Sequence, residues 1–454
     1  MSSIVASVAA QSVNRRILSA VSAITLAAVV VKLAATAKEF AVAGIFGRSD
    51  AIEAFLAAAL IPGLLINLIS ESMNQALVPT LIRVRNCEGP TRAQQLLSNC
   101  LISTCVLLLT ASAVMACTAR FFFPLVAAHF APNKLNLAVH LFYGLLPVIV
   151  FTGVASICTT VLNTAGKFAI PALSPIVTPL AILLLVPILA SRLGIWAMVW
   201  ATVVGALIHL IWMGSMMNAR EYRLTLRWYG MSEATREVVG QYGPVLLSGL
   251  VASGGLLVDQ SMAAMLPAGS VSALAYAGRF VSVVLALLGG AVSSAVTPFF
   301  SEMAARGDWN GCRKALRIWA WSSAGVASLV AAGLILGARV LVRLTFQHGA
   351  FGPKDTAVVS SVLVMYALQI PFFVCSRVFY RFLVAMRRTD LVLYCGMLNL
   401  GLDIVLNLLL MRWLGVAGIA LATSLWTMST LLFLGYWSWR ILSRAERVPP
   451  NLEG

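Results

Sequence analysis

Apolar residues run through this chain in blocks long enough to cross a bilayer, each closed by a short polar stretch. At about 20 residues per crossing, hydropathy predicts twelve helices. Their approximate cores are 24–45, 54–74, 97–117, 137–160, 169–190, 195–216, 241–265, 275–299, 318–338, 357–378, 391–411 and 415–438. The first block carries charge where charge is expensive: Lys32, Lys38 and Glu39 fall inside it. A charge at mid-bilayer costs roughly 2.5–3.5 kcal/mol on insertion scales. At 100° per residue Lys32 and Glu39 lie about 20° apart and Lys38 about 100° from Glu39, so all three share an arc of roughly 120°. Such residues face a bundle interior or a hydrated cavity. A span with one charged side is the pattern of a transport pathway.

The pattern also repeats. Leu193-Gly194 and Ala201-Thr202 recur as Leu414-Gly415 and Ala422-Thr423, Pro132 with Lys134 as Pro353-Lys354, Pro79 as Pro298, and Pro147 as Pro371. Together the matches point to two six-helix halves. Six is even, so the halves share one orientation, and the expected architecture is all-α: two parallel six-helix lobes around a central cavity. The predicted division is an N-terminal lobe over 1–218, a basic linker over 219–240, a C-terminal lobe over 241–440 and a cytoplasmic tail over 441–454.

Composition agrees with a polytopic membrane protein. The chain has 454 residues, 60% hydrophobic and 11% charged, where a soluble domain holds about 25% charged residues. The net charge of +16 does not imply nucleic acid, because the basic residues are scattered among loops and span ends with no aromatic-interleaved patch. It reads instead as topology. With the N-terminus inside, nineteen Lys and Arg fall on the inner side and eight on the outer, which places both termini in the cytoplasm. Arg15-Arg16 lead into a span far longer than the core of a secretory signal, so the first span is expected to be retained. The eight cysteines show no metal-ligand spacing and read as small buried hydrophobes. The outer stretch Thr118–Asn136 has no carboxylate, which argues against a membrane glycan polymerase or ligase; no enzyme is expected.

Several stretches resemble the MurJ (MviN) flippases of the MOP exporter superfamily. They are Ile45-Phe46-Gly47, Ala54-Phe55, Ile61-Pro62 with Leu64-Leu65, Glu71, Gln75-Ala76, Val78-Pro79, Leu162-Asn163-Thr164, Phe168, Ile170-Pro171-Ala172, Pro175 and Gly243-Pro244. The second half adds Tyr276-Ala277 with Arg279, Phe346-Gln347 with Gly349-Ala350-Phe351, and Gly418 with Ala420-Leu421-Ala422-Thr423-Ser424. The resemblance runs from about residue 17 to 440. It departs in four ways: Lys32 and Lys38 stand where the family usually has arginines, Glu39 and Glu53 where it has Asp, Ile66-Asn67 where it has an arginine pair, and twelve helices are predicted where fourteen are common.

The resemblance implies movement of an undecaprenyl-diphosphate-linked glycan, most simply the peptidoglycan precursor, across the bacterial inner membrane. The implied substrate-binding residues are Lys32, Lys38, Glu39, Glu53 and Arg279. A basic side chain in a low-dielectric cavity attracts a diphosphate strongly; the alternative is that Lys32, Lys38 and Arg279 pair with Glu39 and Glu71, or snorkel to an interface, as packing devices. Some family members bind sodium through a set that Asp259, Asn399, Asp403 and Thr423 match, so Na+ is an implied coupling ion, with membrane potential as the other source of bias; interhelical hydrogen bonding is the other reading of these residues. Arg377 and Arg381 read as snorkelling side chains, His209 as a packed polar residue, and Pro171, Pro175 and Pro179 as a hinge. The implied partners are the lipid-linked glycan, the bilayer, and cell-wall or polysaccharide synthesis enzymes. Two other cargoes stay open: another lipid-linked oligosaccharide, as in exopolysaccharide or O-antigen assembly, and a drug or metabolite, which the positive charges of the first and eighth spans disfavour.

Overall fold

The computed structural model describes residues 26–127, 130–165, 167, 169–218, 223, 225–305, 308–386 and 388–445. Arg15-Arg16, Phe168, Arg220 and the tail beyond Ala445 lie outside the described residues, as do the side chains of Glu71 and Gln75. Helices account for nearly all of the described chain. They are α1 (26–46), α2 (Asp50–Glu88), α3 (Pro90–Val126), α4 (Pro132–Thr164), α5 (Ala169–Leu173), α6 (Val177–Leu193), α7 (Trp196–Asn218), α8 (Glu233–Ala263), α9 (Ser270–Ala305), α10 (Trp309–Phe346), α11 (Pro353–Ala367), α12 (Gln369–Ala385), α13 (Thr389–Leu414) and α14 (Val416–Ala445).

Each of the twelve predicted spans falls on one of these helices or on a broken pair. Ten spans among the described residues are long and apolar enough to cross a membrane; α5 and α6 count as one of these, as do α11 and α12. The breaks have a covalent cause. Proline lacks an amide N–H and its ring crowds the carbonyl four residues back. Pro171 accordingly lies one turn before a 3₁₀ turn at Ser174–Ile176 and Pro175 inside it, and Pro371 sits just past the break at Leu368. Hydroxyls inside the spans bond back to carbonyls one turn earlier, as Thr110 does to Val106 (2.8 Å) and Thr202 to Met198 (2.7 Å), which removes an unsatisfied polar group from hydrocarbon.

The chain divides into two compact units: the described parts of Met1–Ile45, Ala54–Leu125 and Ala131–Ser253, and those of Phe46–Glu53, Val126–Phe130 and Gly254–Gly454. Local geometry repeats between them. α3 and α10 have 37 and 38 residues, and the spans Pro132–Thr164 and Pro353–Ala385 have 33 each. Both 33-residue spans open with proline at the first helical turn, where its missing donor costs nothing. Gly194 ends α6 at φ 56°, ψ −134° and Gly415 ends α13 at φ 58°, ψ −135°. Only glycine enters that region without strain, so the repeated Leu-Gly is a repeated helix terminus.

The first unit buries Leu77, Leu81, Leu97, Leu101, Ile157 and Met213 in its core, drawing α2, α3, α4 and α7 together. An extended segment after α7 lies along α3, held by polar side chains. Gln94 Nε2 donates to the Arg223 carbonyl (2.7 Å), Ser98 Oγ accepts from the Arg227 amide (3.1 Å), and Asn99 Oδ1 accepts from the Tyr229 amide (2.8 Å). The core of the second unit joins Val296, Phe300, Leu316, Val378, Phe382 and Leu434 from α9, α10, α12 and α14.

Candidate functional site

In the first unit, α1 carries Lys32, Lys38 and Glu39. Lys38 Nζ lies 2.9 Å from Glu39 Oε1, and Glu39 is buried while Lys32 is exposed. The ion pair cancels within itself, so the three side chains together contribute one net positive charge. His209 is the packed polar residue that the sequence implied: its Nε2 lies 3.0 Å from Ser174 Oγ, and that hydroxyl donates to the Pro171 carbonyl at 2.9 Å.

In the second unit, motifs far apart in sequence meet. The rings of Tyr276, Phe346 and Phe351 pack with centroids 5.1–6.0 Å apart, and the Tyr276 hydroxyl donates to the Gly47 carbonyl at 2.9 Å. Gly47 has φ +59°, and a Cβ there would stand 2.7 Å from the Ala350 carbonyl oxygen, so a side chain is excluded twice over. Beside it, Arg48 Nε donates to the Gly269 carbonyl (2.9 Å) and its Nη1 lies 3.1 Å from Asp355. Neither Arg48 nor Asp355 was singled out from sequence; the proximity of Arg48 to Gly47 was the only signal.

Glu53 belongs to this corner. Read from sequence as substrate-binding, it is 1% exposed, and its Oε1 accepts from the amides of Val271 (2.8 Å) and Ser272 (3.2 Å). Those are orphan donors in the first turn of α9, and a carboxylate there also meets the positive end of the helix dipole. The geometry gives Glu53 the work of a helix cap. Arg279, two turns further along α9, is exposed.

The polar side chains of the remaining predicted set meet inside the second unit. Asn407 Nδ2 donates to Asp259 Oδ1 (2.8 Å) and to Asp403 Oδ1 (3.0 Å), and Thr423 Oγ1 donates to Asp259 Oδ2 (3.3 Å). All four are buried. Asp403 Oδ2 and Asn407 Oδ1 have no hydrogen-bond partner, and buried acceptors in that state are costly. Two carboxylates, an amide oxygen and a hydroxyl form a hard-oxygen set that fits a small monovalent cation. One member differs from the sequence expectation. Asn399 donates to Thr430 Oγ1 (2.9 Å) instead, and Asn407, two turns along the same stripe from it, takes its place beside the acids.

Arg377 and Arg381 line a groove of about 500 Å³ between α9 and α12, opposite Ala286, Gly289, Gly290 and Ser293. The Arg377 guanidinium stacks 4.3 Å from the Phe373 centroid and 5.7 Å from that of Tyr380. Aromatic faces hold these cations at the groove, a more specific placement than snorkelling alone.

Comparison with known proteins places this geometry. The family profile described as lipid II flippase MurJ matches residues 42–451. A probable lipid II flippase MurJ of Buchnera aphidicola is 23% identical over 427 residues, covering 90% of this chain and 81% of the relative. The lipid II flippase MurJ of Burkholderia cenocepacia is 26% identical over 367 residues, covering 78% and 70%. Among solved structures, a lipid II flippase MurJ in an inward closed conformation matches with TM-score 0.79 at 22% identity, over 94% of this chain and 93% of that one. An inward-facing MATE-family multidrug transporter of the MOP superfamily matches with TM-score 0.74 at 15% identity, covering 92% and 96%. The fold is that of the MOP superfamily, and the chain, a multi-pass bacterial membrane protein, belongs to the lipid II flippase MurJ family.

Proposed function

We propose that this protein carries lipid II, the undecaprenyl-diphosphate-linked peptidoglycan precursor, across the inner membrane by alternating access, with both termini in the cytoplasm and no covalent chemistry. The family match over residues 42–451 carries the reading. Basic side chains within otherwise apolar spans supply the means: Lys32 and Lys38 on α1, Arg279 on α9, and Arg377 and Arg381 on α12. A diphosphate headgroup leaving water needs such charge-assisted donors, while its polyprenyl tail remains in lipid.

Asp259, Asp403, Asn407 and Thr423 are the residues that would hold a sodium ion coupled to the cycle. The ion, when bound, supplies positive charge that offsets two buried carboxylates. The protein's own contribution is to keep those oxygens together through the Asn407 amide and the Thr423 hydroxyl. Cell-wall synthesis enzymes acting before and after transport are the natural partners.

Depletion of the protein in cells, combined with a probe of lipid II in the outer leaflet, tests the reading. Outer-leaflet lipid II should fall, and a Lys32→Ala protein that still inserts should fail to restore it. Unchanged lipid II with loss of an exopolysaccharide or O-antigen would transfer the protein to another lipid-linked glycan. The replacement of the family's usual arginine pair by Ile66-Asn67 is the feature that favours that second cargo.

A further inference from the structure

A second groove lies on the second unit and shares no lining residue with the groove of Arg377 and Arg381. It encloses about 280 Å³ between α10, α12 and α14 and is apolar along almost all of its wall. Its depth comes from small residues. Ala320 is buried, and a Cβ added at Gly435 would stand 4.0 Å from the Phe379 ring, so longer side chains there would fill the space. Arg313, Arg317 and Trp321 follow one another at one-turn intervals along the α10 wall, the arginines towards the start of the helix. At 1.5 Å per residue this wall runs about 12 Å from Arg313 to Trp321.

The surroundings match a lipid-facing surface at headgroup depth. Ile318, Trp321, Tyr436 and Trp439 are 55–75% exposed, and tryptophan and tyrosine settle at the membrane interface. The Arg313 guanidinium lies 4.8 Å from the Trp439 ring and the Arg440 guanidinium 5.2 Å from the Trp437 ring. Lys314 adds a further exposed positive charge. Asp308 caps α10, accepting from the Gly311 amide at 2.8 Å. The basic-residue bias assigns this end of α10 to the cytoplasmic leaflet, whose surface is negative.

We propose that this groove holds an anionic phospholipid of the inner leaflet, of the phosphatidylglycerol type. Its phosphate meets Arg313 and Arg317 and one acyl chain lies along Ala320 and Gly435. An acyl chain alone would need no arginine pair, and a zwitterionic headgroup brings no net charge to one. Bulk phospholipid also outnumbers the polyprenyl carrier at any lipid-facing surface, so mass action favours it.

Native mass spectrometry of the full-length protein, released from mixed phosphatidylglycerol and phosphatidylethanolamine micelles, tests the site. The parent should retain phosphatidylglycerol preferentially. Arg313→Gln with Arg317→Gln should cut that retention at least about tenfold, equivalent to about 1.4 kcal/mol, and leave phosphatidylethanolamine retention unchanged. Gly435→Leu, which keeps both arginines and fills the groove, should cut it as well. Equal retention of the two lipids by the parent overturns the proposal, as does displacement of phosphatidylglycerol by equimolar undecaprenyl phosphate. Loss in the arginine variant with none in Gly435→Leu also overturns it, since surface charge without a groove would then account for binding.

Discussion

Asn407 donates both protons of one amide to two buried carboxyl groups, so truncating it leaves buried acceptors stranded. A buried group stripped of its partner costs about 1–3 kcal/mol. Asn407→Ala should therefore lower the thermal midpoint and also abolish any stabilisation by sodium. Asn399→Ala, which loses the bonds to Thr430 Oγ1 and Cys395 Sγ but none to the two acids, should keep the sodium shift. Sodium shifts of equal size in Asn407→Ala and the parent would reject the ion site. Glu53 gives a second residue test. If capping α9 is its work, Glu53→Gln retains an acceptor oxygen and transport should stay within about twofold of the parent, whereas Glu53→Ala should cost about 0.5–2 kcal/mol of stability, as lost caps do. Abolished transport in a stable Glu53→Gln protein would return the residue to the substrate. The stripe Asn399, Asp403, Asn407 was legible in sequence because positions four apart share a helix face. Which asparagine meets Asp259 was not, because that depends on the depth at which α8 passes α13, and a single-helix pattern holds no such depth.

Helix existence was legible throughout the described residues and helix extent was not, for a reason visible in α2. Hydropathy marks residues 54–74, yet α2 runs Asp50–Glu88, 39 residues, or about 58 Å at 1.5 Å per residue against a hydrocarbon core of about 30 Å. Backbone hydrogen bonds continue a helix into water, where hydropathy no longer reports it. The segment after α7 was legible only as a basic connection between lobes. Its docking on α3 depends on Gln94, Ser98 and Asn99, polar residues that periodicity alone could not distinguish from a solvated face. Asn99 also donates to the Gly230 carbonyl (2.8 Å) and to Thr235 Oγ1 (3.1 Å), three bonds in all with the one it accepts from Tyr229. Asn99→Ala should release the segment. Cleavage by trypsin after Arg223 or Arg227 tracks the open population when closing is fast, and a loss of about 1.4 kcal/mol would raise its rate about tenfold. An unchanged cleavage rate would mean that the strap is held by contacts other than these.

For the molecule as a whole, the asymmetry of nineteen inner against eight outer basic residues makes an orientation prediction that needs no transport assay. Cys87 is exposed at the end of α2, beside Arg85 in the last helical turn, on the side assigned to the cytoplasm. Lys354 is exposed in the first turn of α11, on the opposite side. In an otherwise cysteine-free protein, a membrane-impermeant maleimide applied to intact spheroplasts should label Lys354→Cys at once. Cys87 should react only after the membrane is opened. The two probes sit on separate units, so agreement between them also tests whether each unit crosses the bilayer the way the positive-inside rule requires. The reverse labelling would invert the orientation of the chain. It would also move Arg313 and Arg317 to the outer leaflet and remove the argument that places an inner-leaflet phospholipid beside them.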